Sequence, residues 1–227
     1  MIKLVAFDWN GTILADTGAV LVADNFVLRH YGLPEKSLRE IQDKFRMPIR
    51  DFWIAMGLDV KLFDEDPANV VHKWMEIYEP LEQKLRSRSG SKEVMIYLQK
   101  SGIKSIIFSN HIVSHIEKQL TRLKLRHLVA EILARGAGDN SHMVSKSKDL
   151  KLRDYVAKNS LRPDEVMVVG DTEEEIEIAQ KYGYISVAIT GGNVSTKRLR
   201  AMKPNYLIHN LKKIVTIISN GRTNKGN

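Results

Sequence analysis

The chain has 227 residues, of which 43% are hydrophobic and 27% are charged, so it has enough apolar material for a folded core and differs from disordered chains. It contains no cysteine, which excludes disulfide bonds, thiolate metal sites and a cysteine nucleophile. The formal net charge is +8, but the basic runs at 84–92 and 118–127 contain no aromatic residue that could stack on a base. We therefore interpret these runs as solvated helix faces and expect no nucleic-acid partner.

The first residues, MIKLVAF, pass directly into an apolar strand, without the long apolar run and cleavage site of a secretory signal. No segment of the sequence has the apolar length of a membrane-spanning helix. These features predict a cytoplasmic protein without a membrane partner. They leave the oligomeric state open.

Residues 16–87 follow this strand and show apolar residues at helical spacing. Gly32 stands where a helix C-terminal cap is expected, and Asp66 followed by Pro67 is typical of a helix start. The segment therefore predicts an all-helical insertion.

From residue 91 onward, helices alternate with short, continuously apolar strands, including KSIIFSN, EVMVVGDT and YISVAIT. One predicted helix begins at His111, and another runs near 149–159. This alternation favours an α/β fold with a Rossmann-like parallel sheet between two helical layers. We expect a core of residues 1–15 and 88–227, a cap of residues 16–87, and a disordered polar tail at 219–227.

Polar side chains follow three of the predicted strands where each strand ends. They are Asp8, Asn10, Ser109, Asn110, Asp171 and Thr172. In open parallel sheets, ligands bind at the carboxyl ends of the strands. The sequence therefore predicts a binding site at this edge, although Asn10-Gly11 alone would also be explained as a turn.

These strand ends carry motifs that resemble those of the haloacid dehalogenase superfamily. FDWNGTIL resembles the first motif, DxDGT(L/V), and IIFSN resembles the second. VVGDTEEEIEIAQKYG resembles the fourth, GDxxx(D/E), and Lys148 or the nearby Lys146 would supply the lysine of the third. The helical insertion is similar to the C1 type of cap, and the phosphoglycolate phosphatase-like subgroup is the most similar.

The resemblance implies a Mg²⁺-dependent phosphatase that hydrolyses small phosphate monoesters of metabolites. Asp8 would be the nucleophile and form an aspartyl phosphate. Ser109, Asn110 and Lys148 would bind the phosphate group. The expected metal ligands are Asp8, the backbone carbonyl of Asn10, Asp171 and, in an outer-sphere role, Glu175.

Several of these positions have a structural alternative. Ser109 could be a helix N-cap. Thr172 and Glu175 have the spacing of a capping box, in which the glutamate bonds back to the cap residue. The spacing to the fourth motif favours Lys148 over Lys146 as the third-motif lysine.

His111 and three cap residues, Arg46, Arg50 and Trp53, are candidate substrate contacts. The histidine follows the second motif, and the cap residues flank a helix-breaking proline in FRMPIRDFW. A histidine at a helix start is, however, more often simply exposed. A packed helix junction explains the aromatic residues equally well.

Asn10 departs from the family pattern, in which an aspartate protonates the leaving oxygen and later activates water. An amide can do neither, and general acid–base catalysis contributes roughly 10²- to 10⁴-fold in rate. The alternative hypothesis is therefore a catalytically weak or inactive protein that binds a phosphorylated ligand. An amide can still orient water or a leaving group through hydrogen bonds.

Overall fold

Short apolar runs form the strands of a parallel sheet. The computed structural model describes residues 1–139, 143 and 148–223, without the side chains of 221–223. Lys146 lies outside these residues. The strands are β1 (Leu4–Phe7), β2 (Lys104–Ile112), β3 (Glu131–Arg135), β4 (Val166–Gly170), β5 (Ile185–Ile189) and β6 (Tyr206–Ile208).

Within the described residues, the sheet has six strands in the order β3-β2-β1-β4-β5-β6, and all pairs are parallel. Phe7, the last residue of β1, pairs with Ile107 on one side and Val169 on the other. The segments that follow β1, β2 and β4 therefore leave the sheet side by side. This confirms the predicted α/β fold with a Rossmann-like parallel sheet.

Helices from the insertion lie between β1 and β2 in the chain. They are α1 (Thr17–His30), α2 (Leu38–Lys44), α3 (Ile49–Met56), α4 (Val60–Glu65) and α5 (Pro67–Glu82). Asp66 caps α5 with Pro67 at its first position, as predicted. Their own apolar cluster includes Phe52, Trp53 and Phe63, so the insertion has a core separate from the sheet.

The remaining helices cover the two faces of the sheet. They are α6 (Ser91–Lys100), α7 (Val113–Arg122), α8 (Lys148–Lys158), α9 (Glu173–Tyr182), α10 (Thr196–Ala201) and α11 (Lys213–Thr223). Because strand side chains alternate between faces, Val5 and Phe7 pack with α6, α7 and α11, whereas Leu4 and Ala6 pack with α8 and α9. The layers are thus helix, sheet and helix.

Two predicted element boundaries differ from the structure. The helix expected from His111 begins at Val113, because β2 continues to Ile112 and pairs there with Arg135 of β3. The final helix, α11, continues to Thr223 and overlaps the first part of the segment expected to be disordered. Residues 224–227 lie outside the described part of the chain.

The chain enters and leaves the helical insertion along two adjacent connections. The Ala15 amide donates to the Arg86 carbonyl at 3.0 Å, and the Arg88 amide donates to the Ile13 carbonyl at 2.8 Å. The Arg88 guanidinium also donates to the carbonyls of Gly11 and Thr190. This double connection supports the proposal that residues 16–87 form a separate cap.

A second cap–core junction is formed by a buried carboxylate between two histidines. Glu82, at the end of α5, has Oε1 3.0 Å from His111 Nε2 and Oε2 3.2 Å from His115 Nδ1. Burial raises the pKa of Glu82, but the bonds to both imidazoles outweigh this effect and leave the pKa below its ordinary value. His111 is therefore a buried residue of β2, and the expectation of an exposed helix-start histidine is wrong.

Among the described residues, no helix is both long enough and apolar enough to cross a membrane.

We predict that Glu82→Ala lowers the free energy of unfolding by about 2–4 kcal/mol at neutral pH, because it leaves two imidazoles without their shared partner. Urea denaturation would measure this loss. Since the pKa of Glu82 is depressed, its contribution to stability is present above the ordinary pKa of 4.5 and is lost as the pH falls below this value.

The matched control is Glu79→Ala. The side chain of Glu79 is 51% exposed beside His115, so its removal should cost less than about 1 kcal/mol. Equal losses of unfolding free energy for the two variants would contradict the role of Glu82 at the cap–core junction.

Candidate active site

Asp8 stands at the carboxyl end of β1 and is buried. Its amide donates to the Val169 carbonyl at 2.9 Å, which extends the ladder between β1 and β4 by one residue. Its Oδ1 lies 3.1 Å from Lys148 Nζ. The pKa of Asp8 is well above its ordinary value because burial, together with the charges of Glu175 and Asp171, outweighs the attraction of Lys148.

Lys148, the first residue of α8, is the cation at the centre of this site. Its Nζ is 3.1 Å from Asp8 and 3.4 Å from Glu174 Oε2, and it also contacts Glu175 Oε1. Burial would lower the pKa of this amine, but the surrounding carboxylates outweigh burial and raise it well above its ordinary value. The ammonium is therefore held charged inside the protein.

Asp171 follows β4 and is completely buried. Its Oδ1 accepts from Thr12 Oγ1 at 2.8 Å, and its Oδ2 accepts from the Asn193 amide at 2.6 Å. A Cβ on Gly11 or Gly192 would lie 2.3 or 2.2 Å from Asp171 Oδ2, so glycines at both positions make room for the carboxylate. Burial, and then the charge of Glu175, raises the pKa of Asp171 to about 7.

Ser109 and Asn110 occupy the corresponding end of β2. Ser109 is buried and accepts a hydrogen bond from the His111 amide at 3.2 Å. The N-cap alternative is wrong, since the residue that precedes α7 is Ile112. Asn110 Nδ2 donates to Glu174 Oε2 at 2.9 Å, and the Asn110 carbonyl accepts from Arg135.

Glu175 forms the capping box that its spacing with Thr172 predicts. Its Oε2 accepts from the Thr172 amide at 3.0 Å and from Thr172 Oγ1 at 2.6 Å, while Oε1 contacts Lys148. Burial raises the pKa of Glu175, but Lys148 and these hydrogen bonds outweigh burial and lower it. Glu175 thus caps α9 and anchors the lysine, and its outer-sphere metal role stays a prediction.

The side chain of Asn10 is directed to the cap junction. Its Nδ2 donates to Asp16 Oδ2 at 2.6 Å and to the Tyr78 hydroxyl at 2.8 Å. Asp16 also accepts from the Gly11 amide at 2.6 Å and from the Tyr78 hydroxyl at 2.8 Å. Burial raises the pKa of Asp16 even though these donors oppose the effect. Asn10 is therefore one of the donors that satisfy a buried carboxylate.

Sequence reasoning misses Glu174, Asp16 and Asp24 as residues of this region. The position of Glu174 indicates only an acid favoured by the positive end of a helix, yet it is buried between Asn110 and Lys148. The signal for Asp16 is an acid just before the first helix of the insertion. No local signal marks Asp24, which resembles any polar residue on an amphipathic helix.

A cavity that is open to solvent lies between the cap and this edge of the sheet, and its empty space, including the solvent-filled opening, is about 990 Å³. The core contributes Asp8, Ser109 and Lys148 to its wall, and the cap contributes mostly apolar side chains. Trp53 lines the cavity as expected, whereas Arg50 pairs instead with Asp64 at 2.6 Å. Arg46 lines a smaller adjoining pocket. The predicted site residues other than Asp171 thus line this cavity under a largely apolar lid.

The donor set at this edge fits a divalent cation. The buried carboxylates of Asp8, Asp171, Glu174 and Glu175 outnumber the ammonium of Lys148. Burial first, and then the neighbouring carboxylates, raise the pKa values of Asp8 and Asp171. Carboxylate and carbonyl oxygens are the ligands that Mg²⁺ prefers. The residues present therefore suit such an ion.

Comparison with known proteins identifies a matching family model. The model of haloacid dehalogenase-like hydrolases matches residues 5–189. Among curated proteins, the phosphoglycolate phosphatase of Vibrio vulnificus (strain YJ016) is 23% identical over 232 residues, covering 96% of both chains. That of Haemophilus influenzae (strain 86-028NP) is 24% identical, covering 95% of this chain and 98% of its own.

Solved structures share the fold. A predicted phosphatase from Clostridium acetobutylicum superimposes with a TM-score of 0.80 at 15% identity, covering 97% of this chain and 99% of its own. A predicted phosphoglycolate phosphatase from Haemophilus somnus gives a TM-score of 0.70 at 18% identity, covering 96% and 98%. At these identities the likeness concerns the fold alone.

We predict that Gly192→Ala impairs the site, because the added Cβ would lie 2.2 Å from Asp171 Oδ2 and must displace this carboxylate. Catalytic or cation-binding activity should fall by at least about tenfold, as expected for a misplacement of the order of 1 Å. The control is Gly18→Ala in α1, where a Cβ meets nothing within 4 Å. A Gly192→Ala protein that binds Mg²⁺ and turns over esters like the Gly18→Ala protein would contradict the proposed role of Asp171.

Proposed function

The chain belongs to the haloacid dehalogenase-like hydrolase family, and from this premise we propose that it is a Mg²⁺-dependent phosphatase of small phosphate monoesters. The curated relatives that carry the name phosphoglycolate phosphatase support phosphate-ester hydrolysis. The substrate is a small phosphorylated metabolite that enters the cavity between cap and core.

The observation that carries this proposal is the contact between Lys148 and Asp8 at the carboxyl edge of the sheet, 3.1 Å between Nζ and Oδ1. Phosphoryl transfer requires a positioned nucleophile and positive charge beside the transferred oxygens. A buried carboxylate next to a buried ammonium, with Ser109 and Asn110 on the adjacent strand, supplies these groups. The cavity above them leaves room for an ester.

In the first step, a carboxylate oxygen of Asp8 forms a bond to phosphorus while the bond from phosphorus to the ester oxygen breaks. Lys148 balances negative charge on the phosphoryl oxygens, and Ser109 and Asn110 donate hydrogen bonds to them. The departing alkoxide takes a proton from water, because Asn10 has none to give. In the second step, a water oxygen bonds to phosphorus while the bond from phosphorus to Asp8 breaks. The proton that this water loses goes to the hydroxide left by the first step, the Asp8 carboxylate re-forms and inorganic phosphate leaves.

The carboxylates of Asp8 and Asp171 and the carbonyl of Asn10 would hold Mg²⁺, and Glu175 would act from the outer sphere. When bound, the ion supplies positive charge that stabilises the transferring phosphoryl group. The contacts of Thr12 and Asn193 keep the Asp171 carboxylate in place.

We predict that Asp8→Asn lowers the hydrolysis rate by at least about 10³-fold, since removal of a nucleophile leaves only binding and charge stabilisation. The assay is release of phosphate from a panel of esters with Mg²⁺. Chelation by EDTA should stop the wild-type reaction, and added Mg²⁺ should restore it. Asp43→Asn, which removes an exposed carboxylate from α2, is the control and should retain the wild-type rate.

An unchanged rate for Asp8→Asn would overturn the proposed mechanism. The alternative, a non-catalytic protein that binds phosphorylated ligands, predicts saturable binding of an ester to the wild-type chain without any phosphate release. Acid quenching during turnover provides a further check, since phosphate should be covalently attached to the wild-type chain and absent from the Asp8→Asn chain.

We also predict that Asn10→Asp lowers the free energy of unfolding by about 1–3 kcal/mol, because a second carboxylate replaces the donor that now lies 2.6 Å from Asp16. Combining it with Asp16→Asn restores a donor–carboxylate pair and should recover most of this loss. In the double variant, the carboxyl group introduced by Asn10→Asp can provide a proton. The ratio of the rate for esters with poor leaving groups to the rate for aryl phosphates should then be about 10- to 100-fold higher in the double variant than in the wild-type chain.

Denaturation and steady-state kinetics of the wild-type chain, both single variants and the double variant complete this thermodynamic cycle. Additive stability losses would show that Asn10 and Asp16 do not interact. Equal or slower rates for both ester types in the double variant would show that the amide serves catalysis in another way.

A further inference from the structure

The wall that the cap contributes to the cavity is apolar apart from a single acid. Its side chains include those of Phe45, Met47, Phe52, Trp53, Trp74 and Met75. Among the described residues, Asp24 is the one charged side chain that the cap adds to this wall. The part of a substrate that lies beyond the phosphate therefore meets mostly hydrocarbon and aromatic surface.

Asp24, on α1, is 2% exposed, and its hydrogen bonding is incomplete. Its Oδ1 accepts from Trp74 Nε1 at 2.7 Å, whereas its Oδ2 is buried and accepts no hydrogen bond from the described residues. A buried carboxylate oxygen without a partner costs free energy, which a donor from a ligand would recover. Burial also raises the pKa of Asp24 to about 7, against the opposing effect of the Trp74 bond.

The charges of the cavity wall are unequally distributed. Its basic side chains among the described residues are Lys148, Arg135 and His111, all on the core. Lys148 is surrounded by carboxylates, Arg135 donates to the carbonyls of Asn110 and Asp139, and His111 bonds to Glu82. A leaving group that carries a carboxylate, such as glycolate, would meet no cation on the described part of the cap wall and would face Asp24 instead.

Building on the proposed phosphatase function, we infer that the preferred substrates are phosphate esters of apolar alcohols that carry a protonated amine, and that Asp24 binds this amine. The apolar wall accommodates the body of the alcohol. The ammonium donates to Asp24 Oδ2, and a charge-assisted hydrogen bond in a buried site favours a cation over a neutral donor. Asp24 is thus a specificity-determining residue of the cap.

The test uses three para-substituted phenyl phosphates of similar length and leaving-group acidity. They carry a 2-aminoethyl, a propyl or a 2-carboxyethyl group. For the wild-type chain, kcat/KM should be at least about tenfold higher for the amine than for the propyl ester, and lowest for the carboxylate. The Asn side chain of Asp24→Asn keeps the shape of the aspartate. In this variant, the ratio of kcat/KM for the amine to kcat/KM for the propyl ester should fall close to one, mainly through a change in KM. Asp43→Asn again controls for the loss of a cap carboxylate and should keep the wild-type ratio.

Binding of the same esters to the Asp8→Asn chain, measured by calorimetry with and without Asp24→Asn, tests the preference without turnover. If the amine ester binds preferentially but the wild-type chain hydrolyses none of the esters, the proposed phosphatase function is wrong and the proposed specificity for amines is retained. Hydrolysis of the three esters at equal kcat/KM, or an amine preference that survives Asp24→Asn, would overturn the specificity alone. The wild-type series remains decisive even where the Asp24→Asn chain does not fold.

Discussion

The site depends on the charge balance around Lys148. Its ammonium contacts Asp8, Glu174 and Glu175, which come from two different parts of the chain. Isolated buried carboxylates would be strongly disfavoured, and so would an isolated buried ammonium. The same cation that orients the proposed nucleophile thus also makes the burial of α9's acidic N-terminus possible. Because Lys148 cannot neutralise all these acids, the fold retains an excess of negative charge suited to a metal ion.

The cap is connected to this charged edge through polar contacts that involve the site residues themselves. Asn10 donates to Asp16 and Tyr78, and Asp16 marks the beginning of the cap. On another side, Gln42 of α2 donates to the Gly192 carbonyl at 2.6 Å, next to the loop that holds Asp171. A movement of the cap would therefore alter the surroundings of both Asn10 and Asp171. In this chain, the position that usually carries a proton-transferring aspartate instead couples the cap to the core.

The strands β1, β2 and β4 and the polar residues at their ends follow from local sequence, because continuous apolar runs that end in Asp8, Ser109 and Asp171 specify buried parallel strands. The capping box of Thr172 is equally local. Burial of Glu174 and Asp24 is different, since it depends on Asn110 and Trp74, which lie far away in the chain. A pattern confined to one helix cannot distinguish such a residue from a solvated one. The polar residues at the sheet edge could therefore be predicted from the sequence, whereas the buried acids Glu174 and Asp24 could not.

The difference between the sheet edge and the cavity wall limits how far the substrate named for a relative can be carried over to this chain. Of the residues proposed to act on phosphate, Asp8, Ser109 and Asn110 lie at strand ends that the sheet fixes in place, and Lys148 begins α8. The residues that would meet the rest of the substrate lie on α1, α3 and α5 and at 45–47. Phe52 and Trp74 belong to an apolar cluster of the cap that differs from the two clusters on the faces of the sheet. At 23% identity to a phosphoglycolate phosphatase, the wall can change while the phosphate site is retained. An alcohol that carries a carboxylate would require positive charge on the cap wall, whereas the cap provides the acid Asp24 among apolar side chains. The identity of the leaving group must therefore be inferred from the residues of this wall and not from the shared fold.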